Sequence, residues 1–225
     1  WWVVDYNRQS LDSVVSDRLF MKVAGLFENL GWKVVTIKYG KLLQRAFTEP
    51  GGAVLERWID DCPNQLYSAL VFEGAKGWRR QLEADLANEP ETLALIRSRN
   101  DEDLARLMTN LGGHDLDSIL DAFEGAPTDQ PVCFIAYTIK GLGLPFQGHK
   151  DNHAGLMTKV QMTEFRAQNG INQGEEWEPL AGVPNASEIR RYLDRVPFNA
   201  KGRRRFSAPK IDVPHLAIPQ IKGEA

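Results

Sequence analysis

The 225 residues carry 27 Lys and Arg against 30 Asp and Glu, a formal net charge of −3, with 43% hydrophobic and 25% charged residues. These proportions are those of a soluble globular chain and exclude a general nucleic-acid binder, which would present a basic face. No apolar run approaches a membrane span, no signal peptide is visible, and Cys62 and Cys133 stand in unrelated contexts without a disulfide framework, so the expected compartment is reducing and cytoplasmic.

Residues 1–6, WWVVDY, read as a buried strand that stops abruptly at Asn7-Arg8-Gln9-Ser10. The chain opens without an initiator methionine or a polar lead-in, so Trp1 reads as the inside of something larger. Residues 10–13 form the expected turn, with Asp12 or Ser13 as N-cap. Val15, Leu19, Val23 and Phe27 then recur every four positions, the spacing of an amphipathic helix. Gly31 ends that helix where a left-handed cap needs glycine, and 32–37 is a second strand. Strand, helix and strand make a βαβ unit, which predicts parallel, neighbouring strands with a right-handed crossover.

From residue 51 to 125 the pattern is helical and broken by punctuation, with helices expected at 53–70, 76–87, 89–98, 101–109 and 115–123. Asn100 followed by Asp101, Glu102 and Asp103 is a capped helix start whose anionic first turn suits the helix dipole. This is too much helix for one crossover, so it predicts a layer inserted against the sheet. Residues 131–138 form a third buried strand that runs into Thr138-Ile139-Lys140-Gly141. The loop at 141–155 is longer than most connections, and helices are expected at 158–168 and 187–196. After Pro197 the Pro, Gly and basic content rises, including Lys201-Gly202-Arg203-Arg204-Arg205, and the tail reads as an extended, solvated linker. The division is therefore 1–196 as one domain and 197–225 as linker.

Two strands of this α/β sheet end in polar residues: Asn7-Arg8-Gln9 on the first and Lys140 on the last. In open α/β sheets the carboxyl ends of the strands face one crevice, where ligands bind. Neutral oxygens from Asn7 and from turn carbonyls suit Mg²⁺ shared with a phosphorylated ligand, and Lys140 supplies a positive charge for the phosphates. A plain polar turn and a strand-end lysine account for the same residues. His149 and His153, four apart but flanked by Gly148 and Gly155 and lacking a third ligand, read as surface histidines and not as a zinc pair.

Three runs in this order, Asn7-Arg8-Gln9-Ser10-Leu11-Asp12, Leu111-Gly112-Gly113-His114-Asp115 and Thr138-Ile139-Lys140-Gly141, resemble the homodimeric type of thiamine diphosphate-dependent pyruvate dehydrogenase E1 component, within the transketolase-like superfamily. Gly31-Trp32-Lys33-Val34 is similar to that family's helix-to-strand junction. The resemblance implies a thiamine diphosphate-binding, transketolase-like α/β fold, incomplete here, with a C-terminal linker toward a pyrimidine-binding domain. It implies that Asn7 binds Mg²⁺ through its side chain, Gln9 binds it through its carbonyl, and Lys140 lies by the cofactor diphosphate. His153 would close over the cofactor on a long exposed loop and meet substrate or acyl acceptor. Gly112, Gly113 and His114 are scaffold, with Asp115 as N-cap. The implied reaction decarboxylates a 2-oxo acid and passes the acyl group to a lipoyl-bearing acyltransferase, in a homodimer.

The departures are equally specific. The family's GDG aspartate and the glutamate that activates the aminopyrimidine are both absent from these 225 residues, so missing N-terminal and pyrimidine-binding segments are partners of the site, and the segment alone is expected to be inactive. Asn152-His153-Ala154-Gly155 leans toward transketolases. A transketolase-type ketol transferase and a non-catalytic α/β scaffold subunit stay open as alternatives.

Overall fold

A small parallel sheet organises the computed structural model, which describes residues 1–10, 13–14, 19–196 and 198–199. β1 (Trp2–Tyr6) is followed by two short strands, β2 (Gln9–Ser10) and β3 (Ser13–Val14), which pair antiparallel with each other. Ser13 is thus part of a hairpin and not a helix cap, and Asp12 and Val15 lie outside the described residues. α1 (Leu19–Asn29) turns Phe20, Val23 and Phe27 toward the core. It closes at Gly31, whose φ of +79° only glycine adopts freely. β4 (Lys33–Ile37) comes next.

The helical layer is α2 (Lys41–Phe47), α3 (Gly52–Asp61), α4 (Asn64–Glu73), α5 (Ala75–Asp85), α6 (Pro90–Arg97), α7 (Asp101–Met108) and α8 (Leu116–Glu124). α2 was not expected. The single helix expected at 53–70 is two, because Pro63 lacks an N–H and drives Cys62 to extended backbone at φ −62°, ψ 120°. The predicted caps are present: Asn100 accepts the Asp103 N–H at 2.7 Å, and Asp115 accepts the Ser118 N–H at 2.9 Å. β5 (Val132–Tyr137) completes the sheet.

The strand order is β1-β5-β4, with both pairings parallel. The strands flanking α1 are therefore parallel, as expected, but not neighbours. β5 is buried at all six positions, and a strand covered on both faces takes the centre. Its side chains alternate. Cys133, Ile135 and Tyr137 join the main core with Leu43, Leu55, Trp78 and Leu104, while Val132 and Phe134 join Ile37 on the opposite face, where Phe123 of α8 packs.

The chain divides into two units, Trp1–Phe165 and Arg166–Ala225. α9 (Lys159–Gln168) and α10 (Ala186–Leu193) match the late helices expected. Within the second unit Arg166 pairs with Glu176 at 2.8 Å. The linker expected at 197–225 and its basic run lie outside the described residues, apart from 198 and 199. No helix among the described residues is long and apolar enough to cross a membrane.

Candidate functional site at the carboxyl edge of the sheet

The register that pairs Tyr6 with Tyr137 brings the ends of β1 and β5 together, and Thr138 donates its N–H to the Tyr6 carbonyl at 3.2 Å. Asn7 and Lys140 therefore leave adjacent strands at the same edge, about one 4.8 Å strand spacing apart in the sheet direction. The Asn7 Oδ1 accepts the Gln9 N–H at 3.0 Å, a side-chain turn that carries Arg8 at φ +64°, a conformation uncommon for a residue with a Cβ. Gln9 then reaches across the edge, its Nε2 donating to the Gly148 carbonyl at 3.0 Å. Asn7, Gln9 and Lys140 line one narrow cleft with Ser68, Thr138 and Gly148. The cleft encloses about 10 Å³, barely the room of one water.

The 141–155 segment is tied to this edge. Asn152 donates from Nδ2 to the Lys140 carbonyl at 2.9 Å, and Gly148 donates to the same oxygen at 3.3 Å. A Cβ at Gly148 would stand 2.7 Å from the Ser68 carbonyl, so the close approach requires glycine. His153 is exposed, at the end of the 3₁₀ turn Lys150–His153, next to the anchored Asn152. His149 instead caps that turn, its Nδ1 accepting the Asp151 N–H at 3.2 Å while its ring lies 4.7 Å from that of Phe72. Among the described residues no group of three or more His, Cys, Asp or Glu is placed to hold a metal ion.

Gly112, Gly113 and His114 form a 3₁₀ turn packed against the strand ends. The His114 Nε2 accepts the Ile139 N–H at 2.7 Å, which fixes the backbone just before Lys140. Partial burial of the ring lowers the His114 pKa, and the accepted N–H demands the same neutral form. Asp115 does two tasks, capping α8 and accepting the Lys41 N–H at 3.1 Å at the start of α2. Burial opposes its ionisation, but bonds from Ser118, Asn110 and Lys41 outweigh that and hold its pKa below the usual value.

Several residues of this edge were not singled out from sequence. Asp5 accepts from Asn7 Nδ2 at 3.2 Å and also from the Thr138 hydroxyl, so a carboxylate stands among the strand ends. Its signal was there, as the one charge in an otherwise apolar strand. Arg8 gave no signal. Only 6% exposed, it sets its guanidinium 4.0 Å from the Tyr67 ring centre and 5.3 Å from that of Tyr137. Burial pushes Tyr67 up to about 12, against the opposing charge of Arg8, and burial likewise raises Tyr137 and Tyr39. All three stay protonated at neutral pH. The Gln9 Oε1 and Asn152 Oδ1 are buried without a hydrogen-bond partner, and the former leaves acceptor capacity at the cleft.

No protein-family model matches the chain. It is 26% identical over 229 residues to the pyruvate dehydrogenase E1 component of Cupriavidus necator, an alignment covering 96% of this chain and 25% of that protein. Over 183 residues it is 27% identical to the Corynebacterium glutamicum pyruvate dehydrogenase E1 component, covering 76% and 19% of the two chains. The same component from Buchnera aphidicola is 24% identical over 165 residues, 72% and 18%. The chain spans a quarter or less of the length of these curated relatives, and is a distant relative of the pyruvate dehydrogenase E1 component over that stretch.

Proposed function

We propose that this chain is a segment of a thiamine diphosphate-dependent 2-oxo acid dehydrogenase E1 of the pyruvate dehydrogenase type. The observation that carries the reading is the meeting of Asn7, Gln9 and Lys140 around one cleft at the ends of adjacent parallel strands, in a chain distantly related to E1. In this reading residues 1–196 contribute part of the diphosphate-binding domain and 197–225 the linker beyond it. The whole enzyme is a cytoplasmic homodimer that decarboxylates a 2-oxo acid and hands the acyl group to a lipoyl-bearing acyltransferase.

The donors at the edge fit the metal end of such a site. They are hard oxygens, the Asn7 amide, the Gln9 carbonyl and the nearby Asp5 carboxylate, which is the ligand class Mg²⁺ prefers. Asn7 and Gln9 would hold Mg²⁺, and Lys140 would balance phosphate charge at the cleft mouth, since about 10 Å³ admits no diphosphate inside. Thiamine diphosphate, when bound, supplies the carbanion-stabilising centre of the decarboxylation. The chain's own part is to orient and to balance charge. His114 and Asn152 hold the Ile139 N–H and the Lys140 carbonyl in place, and His153 stands exposed beside them to meet substrate or acyl acceptor. The remaining carboxylate ligand and the glutamate for the aminopyrimidine come from outside these 225 residues.

Calorimetry of thiamine diphosphate with Mg²⁺ tests the reading on the longer parent protein. Asn7→Ala is expected to weaken Mg²⁺-dependent binding by roughly tenfold or more, the scale of a lost metal ligand. Lys33→Ala, exposed at the opposite end of the sheet, is expected to leave it unchanged. Equal effects would move the metal away from this edge. The 225-residue chain alone is expected to show no micromolar binding.

A further inference from the structure

Arg8 is shared between the cleft and a second, larger cavity of about 170 Å³, walled also by Tyr6, Phe20, Lys38, Asp60 and Tyr137. Two features of its lining are unsatisfied. Among the described residues Arg8 forms no ion pair although it is 6% exposed, and its partners are the aromatic faces of Tyr67 and Tyr137 and the Tyr67 hydroxyl. The Tyr137 hydroxyl, on a side chain 2% exposed, is buried without a hydrogen-bond partner. A buried guanidinium outside any ion pair among the described residues and a buried donor without an acceptor each cost stability, and both are relieved by the same ligand, an anion with oxygen acceptors.

The surrounding charges decide which anion. Lys38 is already paired with Asp60, which also accepts the Tyr39 hydroxyl, and Asp61 adds a further carboxylate at the rim. Among the described lining residues the two cations, Arg8 and Lys38, are matched in number by Asp60 and Asp61, so a monoanion beside Arg8 adds a single negative charge where a phosphate dianion adds two at greater cost. The room is roughly ten times the ~10–15 Å³ that one water needs. Most of the lining is polar, which limits the apolar part of a ligand to a carbon or two beside Phe20 and Ile59.

We propose that this cavity binds a short monocarboxylate of acetate size, its carboxylate held by the Arg8 guanidinium and the Tyr137 hydroxyl. Planar carboxylate recognition is what a guanidinium fork does best, and the phenol, protonated at neutral pH, donates the further bond. The site does not depend on thiamine diphosphate, on a metal or on the role of Asn7.

Titration calorimetry of the full chain with acetate, ethanol and inorganic phosphate tests it. Acetate is expected to bind saturably at about 1 mM, a realistic strength for so small a ligand, with ethanol and phosphate at least tenfold weaker. Tyr137→Phe removes a hydroxyl that has no partner, so it is expected to leave thermal stability unchanged or raised while weakening acetate about tenfold. Arg8→Met is expected to abolish acetate binding. Should that variant fail to fold, Tyr137→Phe decides the matter alone. The proposal is overturned by no saturable acetate binding, by acetate binding that survives Tyr137→Phe intact, or by phosphate binding as tightly as acetate.

Discussion

β1 and β5 run side by side, matched residue for residue from Trp2–Cys133 to Tyr6–Tyr137, yet they live in different solvents. Every residue of β5 is buried, whereas Trp2 and Val3 of β1 are 57% and 54% exposed and Trp1 before them is 63% exposed. Both strands are apolar by composition, so hydrophobic content did not decide their burial. Position did. β5 has a strand on each side and helices over both faces, while β1 is an edge among the described residues. The same asymmetry extends to the helices, for α1 has no buried residue and leaves Met21 and Leu26 exposed, whereas Gly112 and Gly113 fit tightly against the ends of β4 and β5. The closed side holds the backbone next to Lys140, while the open side packs on the core through partly buried residues such as Phe20 and Phe27.

The widest gap is expected between Phe134→Ala and Val3→Ala. Phe134 is fully buried between Trp1 and Phe123, and its truncation should cost about 3–5 kcal/mol in urea denaturation. Val3→Ala should cost less than ~1 kcal/mol. Similar costs would mean that β1 is covered in solution, and the comparison would fail. Next in size is Gly113→Ala, where a Cβ would come within 2.6 Å of the Tyr137 carbonyl, an overpacking expected to cost ~1–3 kcal/mol. Gly25→Ala in α1 meets nothing within 4 Å and should stabilise by up to ~1 kcal/mol, the usual helix preference. Smaller again is Asp115→Ala, expected to cost ~1 kcal/mol as the α8 cap is lost, or somewhat more if the Lys41 N–H finds no water.

The mildest effect is a pH dependence. Partial burial lowers the folded-state pKa of His114 below its ordinary 6.5, so the folded protein binds fewer protons than the unfolded chain in that range. The resulting stability is fully present above about pH 6.5 and is lost as pH falls through the lowered value. Midpoints of urea denaturation for the wild type should decline below that pH more steeply than those of His114→Gln. Parallel curves would remove His114 from the bond to Ile139.

Much of the local structure was legible. Asn100 and Asp115 announced themselves as caps because a cap works over three residues and needs no partner from elsewhere. The three strands of the sheet showed as apolar runs, and Gly31 as a helix stop. The break at Cys62-Pro63 was equally local, yet the apolar periodicity running through it masked the missing N–H. At the site, Asn7, Gln9 and Lys140 stood out as polar residues at strand ends. Arg8 did not, because nothing in Asn-Arg-Gln-Ser distinguishes a solvated arginine from one laid between two tyrosine rings.

Capping, turn chemistry and hydrophobic period act within a few residues, and so the sequence by itself determined most of the longer strands and helices, though not α2, the β2–β3 hairpin or the break at Pro63. Strand order was a competition across the whole sheet, won by the segment that both faces could cover. That placed β5 between β1 and β4, against the expectation that consecutive strands pair. Only the tertiary structure could bring Asn7 beside Lys140, bury Arg8 and leave Trp2 in water. Each of those outcomes depends on what packs from far along the chain, and a local pattern carries no record of it.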